Sequence, residues 1–287
     1  MDAAALRLRC ADRIAASARG FGDCDWLREA FLRVPRERFV PDRVWWPHPD
    51  PVDGLHHVID RERAPEAWLR AVYRPQAALI TQVADGAVRP EDGPTDAPFT
   101  SSVSAPAVVV EMLRHLAPRP GERILEIGAG TGYSAALLAR RTGPDRVVTV
   151  EIDPALASRA DAVLRALGAG VEVVPGDGER GHAPGAPYDR LVSTAAVRRV
   201  PPAWLHQVRP GGTVLTPLDT PFGSDALARL TVTSPGRAEG TLVEPVAFMK
   251  LRGQRTRRSY GELGWPGWGD YRVTVDGAEQ RIRTGEG

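Results

Sequence analysis

Only two of the 287 residues are cysteine, Cys10 and Cys24, both near the N-terminus. Their number and spacing exclude a disulfide framework and a cysteine-based metal cluster, and two reduced thiols in a cytosolic protein are expected. Net charge is almost absent as well: 37 Lys and Arg against 36 Asp and Glu leave +1. A chain so balanced has no electrostatic reason to bind nucleic acid or an anionic membrane surface. No apolar run approaches membrane-spanning length, and Met1-Asp2-Ala3-Ala4-Ala5-Leu6 lacks the basic region and apolar core of a signal peptide. A soluble cytoplasmic protein with neither membrane nor nucleic-acid partner is therefore expected. Among the six histidines, His56 and His57 are adjacent, while His48, His115, His182 and His206 are scattered without a helical i, i+4 partner. No metal site is expected.

Apolar residues make up 43% of the chain, enough for one large domain or one domain with a substantial embellishment; 26 prolines and 29 glycines imply many loops. The most informative segment is Arg123-Ile124-Leu125-Glu126-Ile127-Gly128-Ala129-Gly130-Thr131-Gly132. An apolar strand runs into a turn with glycine at every second position, a helix is predicted to follow to Arg141, and Glu151 closes the next strand. This pattern marks a nucleotide-type cofactor site. A dinucleotide turn requires a third glycine where this chain has Tyr133. Glu126 is read as pointing a carboxylate at the space above the turn, where it would repel a pyrophosphate. It suits the ammonium of S-adenosylmethionine, while Glu151 is placed to accept hydrogen bonds from both ribose hydroxyls.

Four stretches organise the chain: an N-terminal helical segment (1–44), a Pro-rich irregular insertion or lid (45–99), a cofactor domain (100–251) and a C-terminal extension (252–287). Helices are predicted over 2–18 and around Trp26, Leu27, Ala30 and Phe31. After a helix at 104–116, the alternation strand 123–128, helix 132–141, strand 146–151, helix 154–167, strands 171–175 and 188–194 argues an α/β, doubly wound, mostly parallel sheet. A short helix is expected to end in a turn at Arg209-Pro210-Gly211-Gly212. Closing strands at 213–218, 227–233 and 241–251 have no helices between them, which predicts an antiparallel edge. The extension carries Arg255, Arg257 and Arg258, then Trp265, Trp268 and Tyr271 among glycines. It reads as an exposed basic tail or as a substrate- or partner-binding extension.

Several separated stretches together resemble one family, the protein-L-isoaspartate O-methyltransferases. Val34-Pro35-Arg36-Glu37-Arg38-Phe39-Val40-Pro41 is similar to its N-terminal signature, Ser102-Val103-Ser104-Ala105-Pro106 to its active-site segment, and Leu125 to Tyr133 to its cofactor turn. Gly176-Asp177-Gly178 resembles its adenine-contacting loop. Ala186-Pro187-Tyr188-Asp189, Ser193-Thr194-Ala195-Ala196, Val200-Pro201 and Pro210-Gly211-Gly212-Thr213 match in order and spacing. The resemblance covers roughly residues 25–44 and 100–251. It departs from the family in the length of the 45–99 stretch and in the tail beyond Arg252. With Thr100-Ser101-Ser102 ahead of Ser104, the chain is similar to an actinobacterial branch associated with modified-peptide biosynthesis, whose members methylate a normal aspartate in a precursor peptide.

The resemblance implies a class I, Rossmann-like S-adenosylmethionine-dependent methyltransferase with a seven-stranded sheet, acting on an aspartyl or isoaspartyl side chain of a protein or peptide. It implies cofactor contacts from Ser102, Val103, Glu126, Gly128, Gly130, Gly132, Glu151, Ile152, Asp177 and Gly178, with Ile152 over the adenine ring and Asp177 with the Gly178 amide at its edge. Ser104 is the candidate catalytic residue, at the start of a helix whose dipole favours the acceptor anion; an N-cap role for Ser102 or Ser104 is the plain alternative. Thr194 and Ala195, at the C-terminal end of a parallel strand, are candidates for substrate contact. A carboxylate with a pKa of about 4 is ionised at neutral pH, so methyl transfer to it needs no strong base. The ester then closes to a succinimide, which either hydrolyses in repair or persists as a product. The other readings are a non-catalytic peptide-binding module on the same fold and a methyltransferase for another acceptor; Asn-Pro-Pro-Tyr and Pro-Cys segments typical of base methylation are absent from the catalytic half.

Overall fold

Asp2 begins the chain's first helix by accepting the amides of Ala4 and Ala5, and α1 (Ala3–Ala15) buries Cys10, Ala11 and Ile14. This is a computed structural model, and it describes residues 2–17, 20–276 and 279–284; the end of the helix expected over 2–18 and the last residues of the tail lie outside them. In α2 (Asp25–Arg33), Leu27, Ala30 and Phe31 face inward, and Val34 is forced to an extended conformation by Pro35, which ends the helix. Cys10 and Cys24 are both free.

The stretch expected to be an irregular insertion is folded. Strands β1 (Arg43–Trp45) and β2 (Val58–Asp60), helix α3 (Pro65–Val72), and strands β3 (Leu79–Val83) and β4 (Phe99–Val103) form an antiparallel sheet in the order β2-β1-β3-β4. Its strands are three to five residues long, too short for a sequence period to show. The prolines lie between strands or at helix starts, as Pro65 does at the start of α3, where they cost no ladder hydrogen bond. Trp45, Ile80 and Val83 make a small core of their own. Boundaries at 44/45 and 99/100 consequently fall inside β1 and β4.

From β4 the chain enters α4 (Pro106–Leu116) and then β5 (Ile124–Ile127), α5 (Tyr133–Thr142), β6 (Val147–Glu151), α6 (Pro154–Ala166), β7 (Val171–Pro175), β8 (Tyr188–Ser193), α7 (Pro202–Gln207), β9 (Val208–Leu218), β10 (Asp225–Ser234) and β11 (Arg237–Val246). The seven strands run in the order β11-β10-β9-β8-β5-β6-β7. Strands β5 to β9 are mutually parallel, and β10 and β11 form the expected antiparallel edge. The turn expected at Arg209-Pro210-Gly211-Gly212 is instead part of β9, which follows α7 directly. The register shifts there, and a Cβ on Gly212 would stand 2.7 Å from the Asp189 carbonyl, so glycine accommodates an irregular strand rather than a loop. Beyond Arg252, β12 (Tyr271–Asp276) and β13 (Glu279–Thr284) pair as a separate hairpin. No helix among the described residues is long and apolar enough to cross a membrane.

Alternation along the strands divides the core. Ile124 and Val147 pack with the N-terminal helices, α4 and α5, while Leu125, Ile127, Val148 and Val150 pack with Tyr188, Trp204 and Val208 on the other face. Where the first of these cores meets the antiparallel sheet lies a fully buried cation, Arg36. Its Nε donates to the Val72 carbonyl at 2.9 Å, Nη2 donates to the Ser104 carbonyl at 2.7 Å, and the guanidinium lies 4.9 Å from the Tyr133 ring centroid. Replacing it strands buried carbonyls on two separate parts of the chain. Arg36→Met is expected to cost about 3 kcal/mol, seen in calorimetry as a melting temperature lower by roughly 6 to 12 °C.

Candidate active site

Strand β5 sits centrally, with β6 on one side and β8 on the other, so the chain order reverses between β5 and β8. Ligands of open α/β sheets bind in the crevice at the C-terminal ends of such strands. Gly128, Gly130 and Gly132 follow β5 with φ of 89°, 53° and 86°, a region that side chains rarely tolerate. A Cβ on Gly128 would stand 2.6 Å from Thr194 Oγ1. Gly128 and Gly130 line the pocket; Gly132, expected to do the same, does not. It starts α5, and its missing Cβ leaves room for Leu164 of α6 at 3.0 Å, so its role is helix packing.

Glu126 is completely buried. Strand parity places it on the Ile124 face beside Thr149, its partner in register on β6, so its carboxylate lies within the sheet–α5 layer rather than projecting above the turn. It accepts hydrogen bonds from Thr149 Oγ1 at 2.6 Å and Ser134 Oγ at 2.5 Å while still bordering the pocket. Burial pushes its pKa up to about 7 despite those two donors, with Glu151 adding repulsion. Glu151 is nearly buried; burial raises its pKa against the amides of Gly130 and Asp153, which donate to it at 2.8 and 3.1 Å. Each of its oxygens keeps a lone pair for a further donor. Ile152 is 37% exposed on the pocket wall. Asp177 lines the pocket and also holds the turn Gly178–Arg180 by accepting the Glu179 amide at 3.0 Å. A Cβ on Gly178 would meet Ile127 Cγ2 at 2.5 Å, which excludes other residues from this wall.

Ser102, Val103 and Ser104 line the same pocket from β4 and the link to α4. The helix predicted to begin at Ser104 starts at Pro106, and neither Ser102 nor Ser104 caps it: Ala105 holds the N-cap position without a side-chain hydrogen bond. The first two helical positions offer no amide, since Pro106 has none and that of Ala107 donates to the Pro75 carbonyl at 3.0 Å. The helix end therefore does less for an anion than the sequence suggested. The Ser104 carbonyl is pinned by Arg36, and its hydroxyl has no hydrogen-bond partner among the described residues. Thr194 and Ala195 also line the pocket, but the Thr194 hydroxyl is engaged with the Gly128 carbonyl at 2.6 Å. It clamps the glycine turn.

Sequence reasoning missed Gln82, Lys250 and Arg252 at the mouth and named Arg255 only as part of the basic extension. Gln82 of β3 donates to Asp153 at 2.8 Å and accepts from Thr100 at 3.0 Å; Asp153 in turn caps α6 and donates its amide to Glu151. Lys250, Arg252 and Arg255 border the pocket as well. Arg255 makes a two-pronged pair with Asp85 at 2.6 and 3.0 Å, and Arg252 donates to Asp85 at 3.0 Å. The available signals were a lone Gln in the apolar run 79–83 and the density of basic residues after 250. Away from the pocket, Glu111, His115 and Glu244 bring potential ligand atoms within 4.8 Å of one another. His115 therefore has an i, i+4 carboxylate neighbour that an inspection of histidine spacing alone overlooked.

A family model described as "Protein-L-isoaspartate(D-aspartate) O-methyltransferase (PCMT)" matches residues 88–256. A protein named protein-L-isoaspartate O-methyltransferase from Ignicoccus hospitalis is 40% identical over 227 residues, covering 78% of this chain and 88% of that one. A protein-L-isoaspartate O-methyltransferase 1 from Rhodopseudomonas palustris is 38% identical over 225 residues, covering 74% and 88%. Among solved structures, one titled protein-L-isoaspartate O-methyltransferase aligns with a TM-score of 0.62 at 24% identity, over 85% of this chain and 65% of that one. A Plasmodium falciparum structure titled as a complex with S-adenosyl-L-homocysteine aligns at 0.58 and 14% identity, over 88% and 99%. These likenesses show the class I S-adenosylmethionine-dependent methyltransferase fold. With the family model matched across residues 88–256 and 40% identity to the Ignicoccus protein over most of both chains, the chain belongs to the protein-L-isoaspartate(D-aspartate) O-methyltransferase family of enzymes.

Proposed function

We propose that the protein is an S-adenosylmethionine-dependent carboxyl O-methyltransferase acting on an aspartyl or isoaspartyl residue of a protein or peptide. One observation carries this reading: a single pocket joins the glycine turn, Glu151, Ile152, Asp177 and Gly178 to Ser102–Ser104, and none of its lining residues is His or Cys. Such a pocket suits an acceptor that arrives already ionised. The fit to the cofactor rests on the glycine backbone of Gly128 and Gly130 that lines the pocket, free lone pairs on Glu151 and an exposed Ile152 face. Bound there, the cofactor supplies an electrophilic methyl group. A carboxylate acceptor, already ionised, would need no proton removed before taking that methyl group. Ser104 donates its hydroxyl to the acceptor and holds it in line, an orientation effect. Buried Glu126 supplies negative potential beneath the turn, towards the cofactor's ammonium.

A dedicated peptide bearing a normal aspartate is the branch favoured by the long 45–99 stretch, which departs from the family pattern and, folded as an antiparallel sheet, adds a wall to the mouth. The methyl ester carries a better leaving group than the free acid, and the adjacent backbone nitrogen attacks its carbonyl, loses its proton and expels methanol to close the succinimide. The test is mass analysis of isoaspartyl and aspartyl peptides after incubation with cofactor. A gain of one methyl group followed by net loss of water supports the reading, and modification of small molecules but of neither peptide would overturn it. Isoaspartate converted to aspartate would place the enzyme in repair instead.

Ser104→Ala is expected to lower kcat roughly tenfold to hundredfold with cofactor affinity retained, measured by steady-state kinetics and by titration with S-adenosylhomocysteine. For Glu126 the folded pKa lies above the unfolded one, so the protonated form is favoured in the free fold and ionisation costs stability as pH rises through about 7. A cofactor ammonium offsets that cost. Affinity for S-adenosylhomocysteine should therefore rise several-fold between about pH 6 and 8, and the rise should be absent in Glu126→Gln, as read by calorimetric titration.

A further inference from the structure

The segment that follows β11 closes one side of the pocket. Its backbone is zipped to the end of β8: the Ala196 amide donates to the Met249 carbonyl at 2.7 Å and the Leu251 amide to the Ala196 carbonyl at 2.9 Å. Gln254 then accepts the amides of Arg198 and Arg199 at 2.7 and 3.0 Å and donates to Glu179 at 3.1 Å. This fixes a turn directly beside Thr194 and Ala195. From the turn Arg252 and Arg255 reach across the mouth to one carboxylate, Asp85, in the antiparallel sheet.

Asp85 is held there at a conformational cost. Ala84, Asp85 and Gly86 have φ of 46°, 52° and 90°, three successive residues in the left-handed region, two of them not glycine. The Asp85 amide donates to Thr100 Oγ1 at 3.0 Å, which locks the turn. Two guanidinium groups thus share one carboxylate, and the second acid near Arg252, Asp153, lies 3.8 Å away and is bonded by Gln82. Both arginines are still over one third exposed and face the pocket. Residues 250–258 hold five basic side chains and no acid, and Arg257 and Arg258 make no ion pair among the described residues.

We propose that Arg252 and Arg255 form a carboxylate-binding fork for the peptide substrate, selecting sequences with an acidic side chain flanking the acceptor aspartate. This rests on the carboxyl methyltransferase reading and names the substrate class of that same pocket. The fork does not take the acceptor carboxylate itself, because pairing with a guanidinium withdraws the electron density that attacks the methyl carbon. A flanking Asp or Glu carries no such requirement. Planar guanidinium groups suit it because they bind carboxylates in two-pronged geometry, as Arg255 already does with Asp85. Asp85 holds the fork open and oriented until the peptide's carboxylate joins it.

The experiment uses two matched peptide series, one with a constant acceptor Asp and one with a constant acceptor isoaspartate, each flanked by Glu, Gln or Lys. Methyl-ester formation is followed for the full chain, and peptides carrying Asn in place of the acceptor are titrated by fluorescence anisotropy. The expected result is a kcat/KM about tenfold higher for Glu than for Gln flanks, carried by KM, and shrinking as salt rises. In Arg252→Gln/Arg255→Gln the Glu:Gln ratio falls to about one, and Arg255→Glu shifts preference to Lys flanks, each variant being checked for native melting and S-adenosylhomocysteine binding. Arg255→Lys, which keeps the charge, should retain part of the preference. Ester formation with no dependence on the flank, or a ratio preserved in the double variant, overturns the fork and leaves the carboxyl methyltransferase reading standing. No ester on any peptide, with no binding by anisotropy, overturns both.

Discussion

The site depends on a cation buried without a carboxylate. Arg36 is fully buried, and desolvation lowers its pKa, yet it stays charged because carbonyls from α3 and from the β4–α4 link surround it and the Tyr133 ring lies beneath it. Each of these contacts comes from a different part of the chain. The Ser104 carbonyl belongs to the candidate catalytic segment, Val72 to the antiparallel half, and Tyr133 to the first turn of α5 after the glycines. One side chain therefore sets the distance between the Ser104 segment, proposed to hold the acceptor, and the cofactor turn. Methyl transfer depends on that distance, since in-line displacement tolerates little misplacement.

Around this anchor the two sheets share one polar network. From the arginines it passes through Asp85, Thr100 and Gln82 to Asp153, and from the Asp153 amide to Glu151 and the Gly130 amide. The antiparallel sheet is thus a wall of the cofactor crevice, linked through Asp153 to the residue expected to hold the ribose. At its inner end, where Gln82, Asp153 and Glu151 are partly or wholly buried, burial strengthens these bonds and makes them costly to break. The 88–256 span matched by the family model takes in both ends of this network, from the edge of the antiparallel sheet to the basic segment.

Much of the site was legible because its chemistry is local. The glycine turn, Glu151, Ile152, Asp177 and Gly178 sit within a few residues of strand ends that apolar runs announce, and the structure brings all of them except Gly132 to one pocket. Glu126 was found but its direction was misread, since parity along β5 turns it into the layer under α5. Ser104, the expected catalytic residue, lines the same pocket. Its helical start was misplaced by two residues because Pro106 takes the first helical position.

By itself the sequence determined the doubly wound sheet, its antiparallel edge, the cofactor turn and the resemblance that the family match bears out. The first three rest on periodicity and turn chemistry spanning a dozen residues at most, and the resemblance rests on separated motifs matching in order and spacing. The tertiary structure alone decided that the Pro-rich stretch is a sheet, that Gln82 serves Asp153, and that Asp85 meets Arg252 and Arg255. Those partners are 71, 167 and 170 residues apart, and short strands carry too few residues for a period to show. Contacts of that range exist only once packing has brought the elements together, so no local pattern encodes them.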